Sequence, residues 1–254
     1  MRNVAVLVLV GALALAFGWS LPAPPDGNAS ARAAQPGCSA PNVPVPAAAQ
    51  ADKGKPKSRL FPPQDLGLLA APDRDQWQNP DLIMDALAIF DGAAVADLGA
   101  GGGWFTLRLA RRVGPNGIVY AEDIQPQMVE AITRRIQREG LTNVETRHGT
   151  ADDPRLPAGR LDAVLIVDAY HEIENPIGLL HNVARALNAH GRVGVVDFMP
   201  GCGGPGPSLD ERAQPDAVIR AAEAAGLRLQ AREAVPPFQY LLVFVKGPGA
   251  EVGP

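Results

Sequence analysis

The sequence predicts an α/β fold in which helices cover both faces of a doubly wound, mostly parallel sheet of seven strands. Between residues 59 and 246, short β-rich runs alternate with segments of helical period, an order typical of a parallel sheet. The last two strand-like runs are joined by the short connection VPPF, which favours an antiparallel C-terminal edge strand. A glycine-rich stretch follows the first run, where such sheets bind ligands.

Apolar spacing and capping residues locate the elements one by one. The strand-like runs are AAVADLG, GIVYAED, NVETRHG, LDAVLIVDA, RVGVVDFM, LRLQAREAV and FQYLLVFVK. The helical segments are NPDLIMDALAIF, WFTLRLARRV, PQMVEAITRRIQREG, NPIGLLHNVARALNAHG and DAVIRAAEAAGL, with prolines in first turns and glycines at ends. The predicted domain covers residues 59–246, followed by a tail at 247–254.

The N-terminal part of the chain is predicted to be a targeting segment and a tether. Arg2 precedes an uncharged apolar stretch, Val4–Phe17, which is nearer in length to a signal-peptide core than to the roughly 20 residues that span a bilayer. We therefore expect residues 1–20 to be a signal peptide or an N-terminal membrane anchor. Residues 21–58, rich in Pro and Ala, are expected to be a disordered tether. The expected location is periplasmic or extracytoplasmic, or anchored by the N-terminal segment.

Charge and cysteine content limit the partners. The 254 residues carry a formal net charge of −4, which provides no overall positive field for nucleic acid. We therefore expect a small-molecule substrate, no nucleic acid, and membrane contact only through an uncleaved N-terminal anchor. The two cysteines, Cys38 and Cys202, are far apart and predict neither a disulfide framework nor a zinc site. No metal is expected, and the oligomeric state cannot be read from the sequence.

The stretch VADLGAGGGWFT joins the first strand to the next helix and predicts a ligand close to the backbone. Glycine permits positive φ and lets a ligand reach the backbone N–H groups. Gly99 and Gly101 match the start of the dinucleotide pattern G-x-G-x-x-G, but Trp104 stands where the third glycine is needed. Asp97 would repel a diphosphate and attract an ammonium group. The stretch therefore favours a cationic, phosphate-free nucleoside, such as S-adenosylmethionine, over NAD.

The second strand supplies an acid at a suitable distance for a ribose. Asp123 lies 22 positions after Gly101, close to the roughly 20-residue offset at which an acid meets ribose hydroxyls in such folds. A carboxylate can accept two hydroxyl hydrogen bonds at once. Glu122 is adjacent but should face elsewhere, because side chains alternate along a strand. Asp123 is therefore the predicted ribose contact.

These motifs, together with GTADDPRLP, LDAVLIVDAYHEI and QYLLVFVK, resemble the class I S-adenosylmethionine-dependent methyltransferases over about residues 60–246. The resemblance implies a Rossmann-like fold, S-adenosylmethionine as cofactor, and methyl transfer to an acceptor that remains to be identified. It also implies that an acid after the third strand contacts adenine, either Asp152 or Asp153, with Asp152 preferred. The candidate cofactor contacts are Asp97, Gly99, Ala100, Gly101, Gly103, Asp123, Ile124, Asp152 and Asp168.

The end of the fourth strand is the expected place for catalytic groups. Methyl transfer gains much of its acceleration from positioning, so a general base is optional. If a base is used, His171 is the best proton acceptor near neutral pH, and Asp168 and Tyr170 are further candidates. His171 is equally interpreted as a residue that hydrogen-bonds the following loop, and Asp168 as a buried structural acceptor.

Two flanking segments have open interpretations. Arg74, Trp77 and Gln78 are candidates for a lid over the cofactor, or belong to a surface helix anchored by Trp77. The loop MPGCGGPGPSLDER is predicted to be a mobile substrate loop that holds Cys202 as a spectator thiol. Two other functions stay open, an exported non-catalytic nucleoside-binding protein on the same fold and, less favoured, an NAD(P)-dependent oxidoreductase.

Overall fold

The computed structural model of the chain describes residues 60–248. The predicted signal or anchor segment 1–20, the predicted tether 21–58 and Cys38 lie outside the described residues. No helix within the described range is long and apolar enough to cross a membrane.

A single sheet of seven strands forms the centre of the fold. The strands are β1 (Ala94–Leu98), β2 (Ile118–Asp123), β3 (Val144–His148), β4 (Leu161–Val167), β5 (Leu187–Phe198), β6 (Leu227–Val235) and β7 (Gln239–Lys246). Their order is β3-β2-β1-β4-β5-β7-β6. Strands β1 to β5 pair in parallel, whereas β7 is antiparallel to both β5 and β6. The predicted seven-stranded, mostly parallel sheet with an antiparallel edge is confirmed.

The prediction that the C-terminal strand forms the edge is wrong, because β7 lies between β5 and β6 and β6 is outermost. Strand β7 reads QYLLVFVK and is buried along most of its length, as expected for a strand that is covered on both faces. Strand β6 alternates buried and exposed positions and places Arg228, Arg232 and Glu233 along its length. Charged side chains are suited to an edge strand, because they oppose pairing with another chain.

Helices cover both faces of this sheet. They are α1 (Arg74–Gln78), α2 (Pro80–Ala86), α3 (Trp104–Val113), α4 (Pro126–Glu139), α5 (Pro176–Ala186) and α6 (Pro215–Ala224), with 3₁₀ helices at Pro63–Ala70 and Tyr170–Glu172. Side chains of α2 and α3 pack with the sheet in one apolar cluster and α4 packs beside them, whereas α5 and α6 pack on the other face. Proline occupies the first turn of α2, α4, α5 and α6, where its missing N–H is not needed.

Two helices are shorter than the sequence predicts. The segment predicted to be helical up to Gly191 leaves the helix at Ala186, and β5 begins at Leu187. A Cβ at Gly191 would lie 2.6 Å from the Leu161 carbonyl oxygen, so this glycine permits close strand contact rather than ending a helix. Helix α2 also ends early, at Ala86, and Ala88 has a positive φ of 50°.

Candidate functional site

The glycine-rich turn after β1 has a backbone that requires glycine. Gly99, Gly101 and Gly103 have φ values of 66°, 54° and 73°, a region in which side chains are disfavoured. The N–H of Ala100 donates to the Glu122 carbonyl at 2.9 Å, and the N–H of Gly103 donates to the Ala100 carbonyl at 2.8 Å. The turn is therefore fastened to the end of β2 and leads directly into α3.

Asp123 is in direct contact with the glycine turn. The N–H of Gly101 donates to Asp123 Oδ2 at 3.0 Å, and the N–H of Gln125 donates to Oδ1 at 2.9 Å. Burial raises the pKa of Asp123, and the hydrogen bonds from Gln125 and Gly101 oppose that rise. The carboxylate thus lies at the turn, and its contact with a ribose stays a prediction.

Glu122, the neighbouring acid, is buried with an unsatisfied oxygen. Its side chain is 4% exposed, and Oε1 has no hydrogen-bond partner. A Cβ at Gly149 would overlap this carboxyl group, which places it at the ends of β2 and β3. Burial, and secondly the charge of Asp123, raise the pKa of Glu122 to about 8. Hydrogen bonds from the backbones of Gly99 and Gly149 to this carboxyl group oppose the rise.

Asp97 lies buried at the end of β1. Its Oδ2 accepts a 2.6 Å hydrogen bond from Thr106 Oγ1 in α3. Burial raises the pKa of Asp97 to about 6, and the Thr106 hydrogen bond and the charge of Arg74 oppose that rise. Asp97 therefore fastens the start of α3, and its predicted attraction for a cofactor ammonium group stays a prediction.

The segment 61–78, here called the strap, covers the glycine turn. A Cβ at Gly101 would lie 2.9 Å from Leu69 Cδ1, and a Cβ at Gly102 would overlap Leu66 Cδ2. Neither contact leaves space for a larger residue in the turn. The apolar side chains of the first 3₁₀ helix thus lie directly on the predicted cofactor turn.

The start of the strap is bound to both sides of the site. The N–H of Phe61 donates to Glu172 Oε2 at 3.1 Å, and the carbonyl of Phe61 accepts from Gln125 Nε2 at 3.0 Å. Gln125 directly precedes α4, whereas Glu172 follows β4. The strap therefore bridges the two halves of the sheet at its ligand-binding edge.

The end of the strap is held by a closed ring of four hydrogen bonds, two of them buried and two partly buried. Arg74 Nε donates to Gln78 Oε1 at 3.0 Å, and Gln78 Nε2 donates to Gln239 Oε1 at 2.7 Å. Gln239 Nε2 donates to Asp168 Oδ1, and an Arg74 Nη donates to Asp168 Oδ2 at 2.8 Å. The ring joins helix α1 to the end of β4 and the start of β7. This geometry agrees with the interpretation of Arg74 and Gln78 as parts of a lid.

The ring also defines the environment of Asp168. Both carboxylate oxygens accept hydrogen bonds, and the residue has a positive φ of 57°. Burial raises the pKa of Asp168 to about 6, and the charge of Arg74 opposes that rise. Asp168 therefore acts as a structural acceptor in this arrangement, and its predicted catalytic and cofactor contacts stay predictions.

Aromatic side chains lie beside the hydrogen-bonded ring of Arg74, Gln78, Gln239 and Asp168. The Arg74 guanidinium lies 4.4 Å from the centre of the Trp104 ring, and the Arg108 guanidinium lies 3.4 Å from it. The ring of Trp77 lies 5.9 Å from that of Phe198. Trp104, which replaces the third glycine of a dinucleotide site, thus packs against the strap through a cation–π contact.

His171 lies in the 3₁₀ helix after β4 and is bound to Asp197, the penultimate residue of β5. Its Nδ1 is 3.1 Å from both Asp197 carboxylate oxygens, and its backbone N–H donates to Asp197 Oδ2 at 3.1 Å. Its Nε2 is 3.8 Å from Glu172 Oε1. Burial lowers the pKa of His171, but the hydrogen bond and charge of Asp197, followed by the charge of Glu172, outweigh burial and raise it above 6.5.

Tyr170, the other candidate base, is less suited to accept a proton. It is 7% exposed. Burial, and secondly the charge of Asp197, raise its pKa to about 12. Its hydroxyl is therefore neutral at physiological pH.

The remaining predicted contacts lie near the ends of β2 and β3. Asp152 Oδ1 accepts from Asn175 Nδ2 at 2.9 Å, beside the start of α5. Asp153 Oδ1 accepts from the N–H of Arg155 at 2.8 Å, within its own loop. Ile124 is 36% exposed, an accessible apolar side chain next to Asp123. The choice between Asp152 and Asp153 as the adenine contact stays a prediction.

The loop after β5 is organised by a buried arginine. Arg212 is 3% exposed and donates to the carbonyls of Met199 at 3.0 Å and Pro207 at 3.2 Å, and also to that of Cys202. Cys202 is buried and disulfide-bonded, so the prediction of a spectator thiol is wrong. The sequence predicts only a mobile substrate loop for this segment.

Asp197 and Gln239 are site residues that the sequence did not reveal. The available signal was their position, because Asp197 lies near the carboxyl end of a parallel strand and Gln239 begins an antiparallel one. Both therefore reach the edge of the sheet where the glycine turn lies.

The residues at this edge fit S-adenosylmethionine. The glycines of the turn keep side chains away from its backbone, and Asp123 supplies a carboxylate at the end of β2 that can accept from hydroxyl groups. The carboxylates of Asp97 and Asp123, at the ends of β1 and β2, suit a ligand with a sulfonium and an ammonium group and would repel phosphates. Among residues 60–248, no group of three or more His, Cys, Asp or Glu side chains could hold a metal ion.

Known proteins are similar to this chain. Residues 95–191 match the family model described as a methyltransferase domain. The nocamycin O-methyltransferase of Saccharothrix syringae is 32% identical over 131 residues, which are 52% of this chain and 45% of that protein. The ubiquinone/menaquinone biosynthesis C-methyltransferase UbiE of Pasteurella multocida is 28% identical over 116 residues, 45% of this chain and 43% of that protein. The match thus spans less than half the length of these curated relatives.

A solved structure shows the same fold. A SAM-dependent methyltransferase from Aquifex aeolicus superposes with a TM-score of 0.70 at 25% identity, covering 72% of this chain and 98% of that one. Together with the family match, the glycine turn and the acid at the end of β2, this similarity confirms the resemblance seen in the sequence. The comparisons therefore support a class I S-adenosylmethionine-dependent methyltransferase with S-adenosylmethionine as its cofactor.

Proposed function

We propose that this protein transfers a methyl group from S-adenosylmethionine to a small-molecule acceptor, with His171 as the general base. The observation that carries the proposal is the contact of His171 with the buried Asp197, at the same sheet edge as the glycine turn. The two relatives named above are an O-methyltransferase and a C-methyltransferase. Because their acceptor atoms differ, the proposal leaves the acceptor atom open.

Different residues of the site bind the nucleoside, orient the reactants and transfer the proton. S-adenosylmethionine supplies a methyl group that its positive sulfonium makes electrophilic. The glycine turn and Asp123 bind the nucleoside, and the strap shields the site from water. His171 Nε2 accepts the proton that the acceptor loses. Much of the acceleration of methyl transfer comes from holding the two reactants in position. The general base increases the rate further.

Label transfer tests the proposal. The purified full chain is incubated with S-adenosylmethionine carrying a tritiated methyl group and with fractionated small molecules from cell extract. We expect labelled product from at least one fraction. His171→Asn should lower turnover by about 10²- to 10⁴-fold, the usual contribution of a general base, with little change in affinity for S-adenosylhomocysteine measured by calorimetry.

A second histidine provides the matched control. His190 lies on β5 and is exposed, so His190→Asn should leave turnover unchanged. Cofactor binding without transfer to any fraction would support the non-catalytic nucleoside-binding protein instead. Binding of NAD(H) in the absence of S-adenosylmethionine binding would support the oxidoreductase.

The proposed site of action is an oxidising, extracytoplasmic compartment. The apolar segment after Arg2 supports export, and the disulfide bond of Cys202 is the kind of bond that persists outside the cytoplasm. Cell fractionation with thiol alkylation tests this location. We expect the protein outside the cytoplasm, with Cys202 alkylated only after reduction. Recovery in the cytoplasm with an alkylated Cys202 would contradict the proposal.

A further inference from the structure

We propose that Asp197 is a positioning residue that fixes His171 in the Nδ1–H tautomer, so that the Nε2 lone pair faces the methyl acceptor. The inference rests on the proposed function, because it concerns the orientation of the same base. It adds a residue to the reaction that sequence reasoning did not identify. It also states which ring nitrogen takes the proton.

The contacts of Asp197 hold the imidazole at two points. The carboxylate accepts from the backbone N–H of His171 and contacts Nδ1, in each case at 3.1 Å. It also accepts from the N–H of Phe198 at 2.8 Å and is 0% exposed. An ionised carboxylate only accepts hydrogen bonds, so the ring nitrogen that faces it must carry the proton. In the neutral imidazole, the lone pair is then on Nε2.

The other side of the His171 imidazole faces Glu172. His171 Nε2 is 3.8 Å from Glu172 Oε1, which is longer than a hydrogen bond. The other oxygen of Glu172 accepts from the N–H of Phe61 in the strap. The Nε2 atom therefore lies beside the residue that fastens the start of the strap, and the proposal places the acceptor on this side of the ring.

Three acidic groups act on the imidazole from three elements. Asp197 belongs to β5, Glu172 to the second 3₁₀ helix, and Asp168 follows β4. All three favour the protonated ring, whereas burial disfavours it. Arg74 is paired with Asp168 and reduces the effect of that carboxylate. Asp197 is the only one of the three within hydrogen-bond distance of a ring nitrogen in the described part of the chain.

The proton and electrons balance within the proposed reaction. His171 Nε2 takes the proton from the acceptor atom as the acceptor forms its bond to the methyl carbon. The electrons of the broken carbon–sulfur bond stay on sulfur, which becomes a neutral thioether. The imidazolium that results has both ring nitrogens protonated, with Asp197 opposite Nδ1 to stabilise its charge.

Nitrogen NMR tests the tautomer without an acceptor. In ¹⁵N-labelled full-length protein saturated with S-adenosylhomocysteine, long-range ¹H–¹⁵N spectra distinguish the two neutral tautomers. We expect wild-type His171 in the Nδ1–H form, with a pKa above 6.5. Asp197→Asn keeps the shape but offers an amide donor to Nδ1. We expect this variant to shift His171 to the Nε2–H form and to lower its pKa.

Asp216→Asn is the matched control, because Asp216 is exposed on α6 and pairs with Arg232. It should change neither the tautomer nor the pKa of His171. With an acceptor from the label-transfer screen, Asp197→Asn should lower turnover by about 10²-fold while the affinity for S-adenosylhomocysteine is retained.

A wild-type Nε2–H tautomer would overturn the inference, even if the variant did not fold. An Asp197→Asn protein that keeps the Nδ1–H form would also overturn it. Because the tautomer is measured without methyl transfer, either result is distinguishable from a failure of the proposed function. Methyl transfer that is insensitive to His171→Asn would instead reject the base itself.

Discussion

Arg74 and Asp168 are 94 residues apart in the sequence and form a buried ion pair at 2.8 Å. The pair connects the strap to the end of β4, the strand that leads to His171. Each partner has further hydrogen bonds, Arg74 to Gln78 and the Leu69 carbonyl, and Asp168 to Gln239. The pair is therefore part of a network of polar contacts that holds the end of the strap.

Removal of Arg74 is expected to loosen the strap. Arg74→Ala leaves Asp168 without its cation, and opening of the strap returns this carboxylate to water. A hydrogen bond to a charged group contributes about 1.5–3 kcal/mol, which corresponds to an increase of roughly ten- to hundredfold in amide exchange across residues 61–78. Hydrogen-exchange mass spectrometry measures this rate, and the amides of β1 and β4 should be unaffected.

Arg232→Ala is the control for this experiment. Arg232 pairs with Asp216 at 2.9 Å, but both side chains are more than half exposed. Exposed pairs contribute only about 0–1 kcal/mol, so strap exchange should stay at the wild-type rate. If Arg74→Ala also left it at that rate, the ring would not be what holds the strap closed.

Gly102 and Leu66 allow a test of the contact between strap and turn. Gly102 is not among the residues with positive φ, so Gly102→Ala introduces only the overlap with Leu66. We expect this substitution to increase amide exchange in the first 3₁₀ helix. Leu66→Ala removes the obstructing methyl groups, so the double variant should exchange more slowly than the sum of the single effects predicts. Additive effects in this double-mutant cycle would mean that the two residues do not touch.

Asp123 is expected to dominate binding of the nucleoside. Asp123→Ala removes the carboxylate that meets the predicted ribose position and that also fastens Gly101. We expect affinity for S-adenosylhomocysteine to fall by about 1.5–3 kcal/mol, measured by calorimetry. Asp216→Ala, on the exposed surface of α6, serves as the control. Unchanged affinity in Asp123→Ala would remove Asp123 from the binding site.

Glu122 is expected to make stability depend on pH. Its pKa is about 8 in the folded protein, above the ordinary 4.5. The folded state therefore favours the protonated carboxyl group. The contribution of Glu122 to the free energy of unfolding is fully present below about pH 4.5 and is lost as the pH rises through 8. Glu122→Gln should have a higher free energy of unfolding than wild type at pH 9, by up to about 4 kcal/mol, and a similar one at pH 4.

Chemical denaturation at both pH values measures this difference. Glu223→Gln, at an exposed position of α6, should keep the pH dependence of the wild type. A Glu122→Gln variant with the wild-type pH dependence would show that Glu122 is ionised at little cost in the folded protein.

Local sequence patterns were sufficient to predict most of the sheet and the glycine turn. The strands have apolar runs bounded by turn residues, and Asp97, the glycines and Asp123 lie at spacings fixed by strand length and a tight turn. The start of β5 was not predicted correctly, because Gly191 has the pattern of a residue that ends a helix but packs against the Leu161 carbonyl. That function depends on a neighbouring strand and has no local signal.

The polar contacts of the site were not predictable in the same way. Arg74 was a candidate lid residue, but its partner Asp168 is distant in sequence. Asp197 and Gln239 lie in apolar strands, and their roles depend on which strands become neighbours. The role of Gln239 depends on the order of β7 and β6, because β7 would not lie beside β5 if it formed the outer edge.

The interior position of β7 has a consequence for synthesis. Strand β7 is synthesised after β5 and β6, yet it separates them in the sheet and carries Gln239, which closes the ring around Asp168. While the nascent chain still lacks its C-terminal residues, β6 has no partner in the sheet and the strap lacks one of its anchors. A truncation that removed β7 would therefore disrupt both the sheet and the cover of the candidate site.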